Sequence, residues 1–410
     1  METAKSVLKY GGEDSRLAES RCCKQLQILT LLYLPKEDEK YILAKAAPLL
    51  RERGKENLRQ WMELQDYVVY LLCQRKEYEK AAVCMKEAEK YAEKELTAET
   101  VYIGGGTPSV LKEGNLTRLV DGISRYINIE AKEFTIEANP ESFSESKARE
   151  YKSVGADRVS MGLQATQPEL LRAIGRIHSY QDFLNALDNA KKIGFKNISA
   201  DLMYSLPGQT RGMAEESARM LALLGLQHIS AYALKLEPGV PMYGCVQPEE
   251  DEDREMFYAI KGELEQAGFS RYEISNFSKP GFESKHNLKY WLLEDYIGLG
   301  LGAHSCYGGE RFGNMTDLRK YIKSAERGRK LSVSSQTIGD VRIERVMLET
   351  RLVRGMPMSV IGESRAAEQL TEQLVKHGLA KLEEGRLILT DAGMDIQNTI
   401  VVKIWDVMAK

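Results

Sequence analysis

The stretch that decides the fold is Val101-Tyr-Ile-Gly-Gly-Gly-Thr-Pro-Ser-Val-Leu111. Its first three residues are apolar or aromatic, as in a buried strand, and a helical pattern begins at about Val110. The three glycines between them have no side chain to keep a ligand away from the backbone, and they adopt positive φ readily. The stretch therefore predicts a strand, a turn that a ligand can approach and a helix, in that order.

The residues after this stretch repeat the order strand then helix. Helical patterns cover Glu141–Val154, Tyr180–Ile193, Arg211–Leu224 and Asp251–Gln266. Alternating units with short connections favour an α/β fold, in which a parallel sheet or barrel is covered by helices and binds ligands at the carboxyl ends of its strands. The predicted strands are Thr100–Ile103, Glu133–Ala138, Arg158–Leu163, Ile198–Tyr204, His228–Leu234, Tyr272–Asn276 and Tyr296–Gly300.

The two ends of the chain differ from this middle part. Residues 1–97 are predicted to be mainly helical, because no glycine occurs between Gly54 and Gly104; Tyr67–Cys73 reads either as a short strand or as the apolar part of a helix. Residues 98–305 would form the barrel. Residues 306–410 would form a helical, winged-helix-like domain, with a helix at Ala366–His377, a hairpin around Glu384-Gly385 and a last helix near Asp391.

Composition excludes several classes of protein. The 410 residues carry a net charge of about −3, so no global field attracts nucleic acid, and the mixed charge of the C-terminal hairpin favours packing over DNA binding. No apolar run approaches the roughly 20 residues that a membrane span needs. The six cysteines are too scattered for a disulfide framework. The sequence therefore predicts a cytoplasmic protein with no membrane span and no nucleic-acid partner.

Polar residues follow four successive predicted strands. They are Gly104–Gly106, Glu137, Gln164 with the later Arg176, and Asp201. Taken singly, the glycines could form a plain turn, the carboxylates could cap helices and Arg176 could be an exposed helix-end residue. Taken together, they place donors and carboxylates on the face where a barrel binds ligands, a pattern that suits a zwitterion with a ribose.

Two histidines near the end of the barrel have two interpretations each. His286 is a candidate axial heme ligand, since Tyr290 and Trp291 follow it and could stack on a flat macrocycle; it could equally be a structural histidine. His304 follows a glycine-rich strand end and has the same two interpretations.

Eight motifs occur together in a characteristic order, from about Tyr78 to the C-terminus. In this order they resemble the oxygen-independent coproporphyrinogen III oxidase-like branch of the radical S-adenosylmethionine (SAM) family, and the last resembles the motif of its heme chaperone (HemW-like) type. The motifs are Gly104-Gly-Gly-Thr-Pro108, Glu137-Ala-Asn-Pro140, Arg158-Val-Ser-Met-Gly-Leu-Gln164, Gly175-Arg-Ile-His178, Asp201-Leu-Met-Tyr-Ser-Leu-Pro-Gly-Gln-Thr210, Ile229-Ser-Ala-Tyr-Ala-Leu-Lys-Leu-Glu-Pro-Gly239, Tyr272-Glu-Ile-Ser-Asn-Phe277 and His286-Asn-Leu-Lys-Tyr-Trp291.

The resemblance implies a partial (β/α)6 TIM-like barrel with a C-terminal winged-helix-like region, a SAM site and heme binding. Heme or porphyrin, and a protein that receives heme, are the implied partners, and His286 is the implied ligand of the heme iron. Residues at the strand ends would hold SAM: Gly104, Gly105, Gly106 and Thr107 at its amino end, and Glu137, Gln164, Arg176 and Asp201 at its other polar groups.

The sequence departs from the family in one motif. The family carries Cys-x-x-x-Cys-x-x-Cys, whose three thiolates hold a [4Fe–4S] cluster, and this spacing occurs nowhere in the chain. If Cys73 is a relic of the first ligand, Glu77 and Lys80 occupy the other two positions. The sequence therefore predicts a heme-binding and heme-trafficking protein that has lost its cluster and radical catalysis, and no catalytic residue is assigned.

Two other functions stay open. The chain could be an active SAM-dependent enzyme of porphyrin metabolism, with a cluster held by Cys22, Cys23, Cys73 and Cys84. It could also be an interaction protein, in which residues 36–96 form a docking module and the barrel is a passive scaffold.

Overall fold

The computed structural model describes residues 96–235, 249–326 and 332–409, which all belong to one compact unit. The N-terminal segment that is predicted to be helical, the Tyr67–Cys73 tract and the four cysteines up to Cys84 lie outside the described residues. Predictions about them therefore stay predictions.

A sheet of seven strands forms the centre of the described chain. Its order is β1-β2-β3-β4-β5-β7-β6, and every contact from β1 to β5 is parallel, whereas β7 pairs antiparallel with both β5 and β6. The predicted α/β class with a parallel, partial barrel is confirmed. The strands are β1 (Thr97–Ile103), β2 (Asn128–Ala138), β3 (Arg158–Gln164), β4 (Asn197–Tyr204), β5 (His228–Ala233), β6 (Ser270–Arg271) and β7 (Asn276–Ser278).

Helices follow most of these strands, and several are capped by side chains that the sequence supplies. Ser179 and Asp182 form a reciprocal capping box at the start of Tyr180–Ile193, which matches its predicted bounds. The helices are α1 (Asn115–Ile123), α2 (Glu145–Ser153), α3 (Pro168–Ala173), α4 (Tyr180–Ile193), α5 (Arg211–Ala222), α6 (Glu250–Gln266), α7 (Lys285–Trp291), α8 (Leu318–Glu326), α9 (Val341–Glu349), α10 (Arg365–Lys376), α11 (Asp391–Asp395) and α12 (Gln397–Met408). Among the described residues, none of the helices combines the length and apolar character needed to cross a bilayer.

Strict alternation along the parallel strands divides the sheet into two faces. The apolar positions pack against the helices, as Phe134 and Ile136 of β2 and Val159 and Met161 of β3 do. The positions between them are polar and form what we call the polar face. Because successive side chains of a strand point to opposite faces, the residues before and after each polar residue are apolar and pack in the core.

Two of the predicted strands are wrong. Tyr272–Asn276 is mostly a bend, because the buried Glu273 carboxylate accepts hydrogen bonds from Ser275 N (2.8 Å) and from Asn276 Nδ2 (2.6 Å). Such local side-chain bonds compete with a sheet ladder. Tyr296–Gly300 contributes a single bridge, between Tyr296 and Cys306.

The C-terminal part has small antiparallel sheets of its own. The predicted helix, hairpin and helix are present, and the hairpin turns at Glu384 (φ 49°) and Gly385 (φ 71°), the positive values of a two-residue turn. The strands are β8 (His304–Tyr307), β9 (Glu310–Asn314) and β10 (Ser332–Thr337) in one sheet, and β11 (Met356–Pro357), β12 (Ala380–Glu383) and β13 (Arg386–Leu389) in another.

Candidate functional site

The glycine-rich turn after β1 lies against a carboxylate at the end of β2. Gly105 N donates to Glu137 Oε2 at 3.1 Å, and Tyr102 Oη donates to Glu137 Oε1 at 2.8 Å. A Cβ added to Gly104 would lie 2.5 Å from the carboxyl carbon of Glu137. A side chain at this position would therefore displace the Glu137 carboxylate, and the turn and Glu137 form one unit with exposed backbone.

A second carboxylate, that of Asp201, lies on the same face within β4 and not after it as predicted. Burial, and then the nearby charge of Glu137, raise the pKa of Asp201 from 3.8 to about 6. Hydrogen bonds from Ser230 and Ser160 (3.4 Å) and the charge of Arg158 oppose this shift. A buried carboxylate next to a second carboxylate forms a place where a cation is stabilised.

Amide and guanidinium groups complete this end of the sheet. Gln164 is buried and has a φ of 74°, a left-handed value that a non-glycine residue seldom adopts. Its Oε1 accepts from Tyr232 Oη at 3.3 Å, and a Cβ added to Gly162 would lie 2.8 Å from its Nε2. Arg176 Nη1 donates to Asn139 Oδ1 at 3.3 Å. Strained backbone that carries a polar side chain is typical of ligand sites.

The structure thus brings the predicted residues of the strand ends to one edge of the sheet, in two groups. Gly104, Gly105 and Glu137 form the first, which Asp201 joins through charge, and Gln164 and Arg176 form the second near Asn139. Thr107 is more peripheral: its carbonyl accepts from Val110 N at 3.1 Å, which closes a 3-10 turn. A carboxylate pair beside a guanidinium suits a zwitterion, so these residues fit the amino-acid part of SAM.

His286 lies near the amino ends of the strands, on the other side of Tyr102. Its ring stacks on Tyr102 with centroids 5.3 Å apart. Nδ1 is 2.9 Å from Thr100 Oγ1 and Nε2 is 2.7 Å from Tyr290 Oη. Burial lowers the pKa of His286 to about 4, against the opposing charge of Glu133, so the ring is neutral at pH 7.

A groove of about 390 Å³ opens beside His286 along the outer edge of β1. This volume is within the range of ligand pockets, about 300–1,000 Å³. The groove offers a neutral imidazole and apolar and aromatic surface, which fit a heme group in their chemistry. Its charged lining is Lys289 together with the carboxylates of Glu99, Glu294 and Asp295. The lining includes Ala98, Ile127, Lys289, Tyr296, Ile297 and Tyr307. His304, by contrast, is exposed at the start of β8 and does not line the groove.

Sequence reasoning missed the polar residues at the amino ends of the strands. Glu133, Arg158 and His228 are buried on the polar face, and His228 is bonded to Ser199 Oγ (2.8 Å) and Tyr272 Oη (2.9 Å). Burial lowers the pKa of His228 well below its usual value. The signal was present in the alternation of β3, Arg158-Val-Ser-Met-Gly-Leu-Gln164, where every second residue is polar or glycine.

The described residues do not provide a cluster site. Among residues 96–235, 249–326 and 332–409, no group of three or more histidine, cysteine or acidic side chains could hold a metal ion. Cys306, the described cysteine, is buried and free, and burial raises its pKa. A [4Fe–4S] cluster needs several thiolates, so the described side chains do not fit one.

Comparison with known proteins identifies the family of this chain and agrees with its fold. The Radical SAM superfamily model matches residues 73–221. Heme chaperone HemW of Bacillus subtilis is 36% identical over 318 residues, which cover 74% of this chain and 84% of that protein. HemW of Lactococcus lactis is 34% identical with the same coverage. In structure, coproporphyrinogen III oxidase (HemN) from Escherichia coli, described as a radical SAM enzyme, superposes with a TM-score of 0.71 at 19% identity, over 81% of this chain and 83% of that one. The chain therefore belongs to the HemW-like branch of the radical SAM family.

Proposed function

We propose that this protein binds heme in the groove beside β1, on a radical SAM scaffold that keeps a SAM site and lacks cluster chemistry. The observation that carries the proposal is His286: a neutral imidazole that lines a ligand-sized groove, in a chain similar over most of its length to heme chaperones. A histidine must be neutral to bind a metal, and burial provides this at pH 7. The proposal places this function in the cytoplasm.

Residues around the groove support the proposal in different ways. His286 would hold the iron through Nε2, for which its hydrogen bond to Tyr290 has to be released. Lys289 lines the same groove and is paired with Glu99 (3.3 Å) and Glu294 (2.7 Å), so a porphyrin carboxylate would bind it by displacing one of these partners. When bound, heme would supply an iron centre with an open coordination site; the protein would supply orientation and exclude water.

Substitution of His286 is expected to change the heme complex. In a hemin titration, His286→Ala should lose the Soret band of a histidine-bound heme and bind hemin more weakly by at least tenfold, because the axial ligand is removed. His304→Ala is the matched control, since His304 is exposed and outside the groove. Identical bands for wild type and His286→Ala would remove His286 from the site.

The strand-end residues support a retained SAM site. Glu137 accepts hydrogen bonds from Tyr102 and Gly105 and lies near Asp201, which together would hold an ammonium group, while Arg176 would pair with a carboxylate. The proposal is binding without cleavage, since none of these residues delivers an electron.

Thermal unfolding with SAM tests this site. At a hundredfold excess over its Kd, SAM should stabilise the wild-type protein by about 2.7 kcal/mol and raise Tm by a few degrees. Glu137→Gln should lose most of this shift, whereas Glu130→Gln, an exposed change on the same strand, should keep it. The absence of a shift in the wild type would favour the alternative in which the barrel is a passive scaffold.

An active enzyme of porphyrin metabolism remains the other candidate. It would need Cys22, Cys23, Cys73 and Cys84 to be gathered around one cluster, and these residues lie outside the described chain. That another protein receives heme from this chain is likewise part of the proposal.

A further inference from the structure

The backbone around His286 is anchored by one buried carboxylate. Glu133 of β2 is 2% exposed, and its two oxygens accept hydrogen bonds from Ser284 Oγ (3.1 Å), Lys285 N (2.9 Å) and His286 N (3.0 Å). These three donors come from the start of α7, about 150 residues later in the chain. Hydrogen bonds to a charged acceptor are stronger than those to a neutral one. Glu133 therefore fixes the first residue of α7 and the position of the His286 backbone.

The ring of His286 is held by the residue that faces Glu133 on the neighbouring strand. Thr100 and Glu133 are register partners of β1 and β2, and Thr100 Oγ1 is 2.9 Å from His286 Nδ1. Tyr102, two residues along the same face of β1, stacks on the ring. One strand pair thus fixes the histidine at its backbone, at one ring nitrogen and at one ring face.

The hydrogen-bond partners also favour one tautomer. Tyr290 Oη is 2.7 Å from Nε2, and a phenol is a more acidic donor than an aliphatic hydroxyl. This difference favours Tyr290 as the donor to Nε2, with the proton of the ring on Nδ1 and Thr100 Oγ1 as its acceptor. In metal sites the histidine ring is commonly oriented in this way, with the nitrogen that does not bind the metal donating to a second residue.

We propose that Thr100 and Glu133 are positioning residues, which hold His286 in the orientation and tautomer that present Nε2 to a heme iron. The inference rests on the proposed heme site and adds to it two residues outside the His286–Trp291 motif. Neither residue touches the iron; both act through His286.

Removal of the Thr100 hydroxyl tests the ring contact. Thr100→Val keeps the shape of the side chain and removes the acceptor of Nδ1–H, and it should weaken hemin binding by roughly 10- to 100-fold, as the loss of such outer partners typically does. Thr100→Ser, which restores the hydroxyl, should recover most of the affinity. Thr371→Val, which removes a buried hydroxyl in α10, is the matched control and should bind hemin as the wild type does.

Two further variants test the other contacts of His286: the bond of its backbone N–H to Glu133, and the bond of its Nε2 to Tyr290. Glu133→Gln removes the charge from the acceptor of all three donors of α7 and replaces one accepting oxygen by a donating NH2 group, so it should also weaken hemin binding about tenfold. Tyr290→Phe removes the hydrogen bond on Nε2 that the iron would replace, so this variant should bind hemin at least as tightly as the wild type. If Tyr290→Phe lost as much affinity as Thr100→Val, the assigned roles of the two ring nitrogens would be wrong.

The tautomer of His286 can be measured without heme. A general loss of stability would not change this tautomer in the folded protein. The chain has five histidines, and His286→Ala identifies the signals of His286 in ¹⁵N imidazole spectra of the full-length protein. The wild type should show Nδ1–H, and Thr100→Val should shift His286 toward Nε2–H. If Thr100→Val left both the spectra and the hemin affinity unchanged, the positioning role would be overturned and the heme site would stand. Hemin binding that does not depend on His286 would overturn it together with the heme site.

Discussion

Anaerobic reconstitution with iron and sulfide is expected to leave this protein without a [4Fe–4S] cluster. The six cysteines stand at positions 22, 23, 73, 84, 245 and 306, so nowhere do three share the spacing of the family motif. Cubane clusters are held by cysteine thiolates, and a single thiolate at Cys73 does not hold one. Without a cluster no electron reaches the SAM sulfonium, and reductive cleavage to methionine and a deoxyadenosyl product should not occur.

The measurement is iron and sulfide per chain, with product analysis after addition of dithionite and SAM. Cys73→Ser is the control: iron that is equally retained by this variant is adventitious. About four irons per chain, lost in Cys73→Ser and accompanied by SAM cleavage, would contradict the proposal and establish the enzymatic alternative.

Asp201→Asn is expected to stabilise the protein at neutral pH while it weakens SAM binding. The pKa of Asp201 is raised from 3.8 to about 6 by burial and by Glu137. A raised pKa means that the stability contributed by the protonated form is complete below about pH 4 and is lost as pH rises through 6. The wild type thus carries a cost at neutral pH of about 3 kcal/mol, since one pKa unit is worth 1.36 kcal/mol.

Urea unfolding at two pH values checks the direction in which Asp201→Asn changes the free energy of unfolding. Asp201→Asn should raise the free energy of unfolding at neutral pH by up to about 3 kcal/mol, and the gain should shrink toward zero near pH 4. Asp188→Asn, an exposed change in α4, should show no such difference. A variant that is less stable than the wild type at both pH values would mean that the Asp201 carboxylate is stabilised in the fold and not strained.

Much of the fold could be predicted from sequence, because burial on one face imposes a period of two on the parallel strands. β3 and β4 were found to within a residue for this reason, and parallel pairing then placed Glu137, Gln164 and Asp201 at one edge. That these residues, and Thr107 and Arg176 with them, contact a ligand stays a prediction.

The parts that could not be predicted depend on contacts between distant residues. Nothing near Glu133 in the sequence shows that its carboxylate will meet Lys285 and His286. The bend at Tyr272–Asn276 was predicted as a strand because its composition suits one, and the local bonds of the Glu273 side chain prevent it.

Three alternate residues, two in β1 and one directly after it, make separate contacts. Thr100 bonds the His286 ring, Tyr102 stacks on that ring and donates to Glu137, and Gly104 leaves room for the Glu137 carboxylate. Because side chains of a strand alternate between its two faces, a one-residue insertion or deletion between Thr100 and Tyr102 would put Tyr102 and Gly104 on the face opposite to Thr100. The length of this strand therefore couples the two sites: a substitution can spare one of them, whereas such an insertion or deletion prevents one strand from serving both.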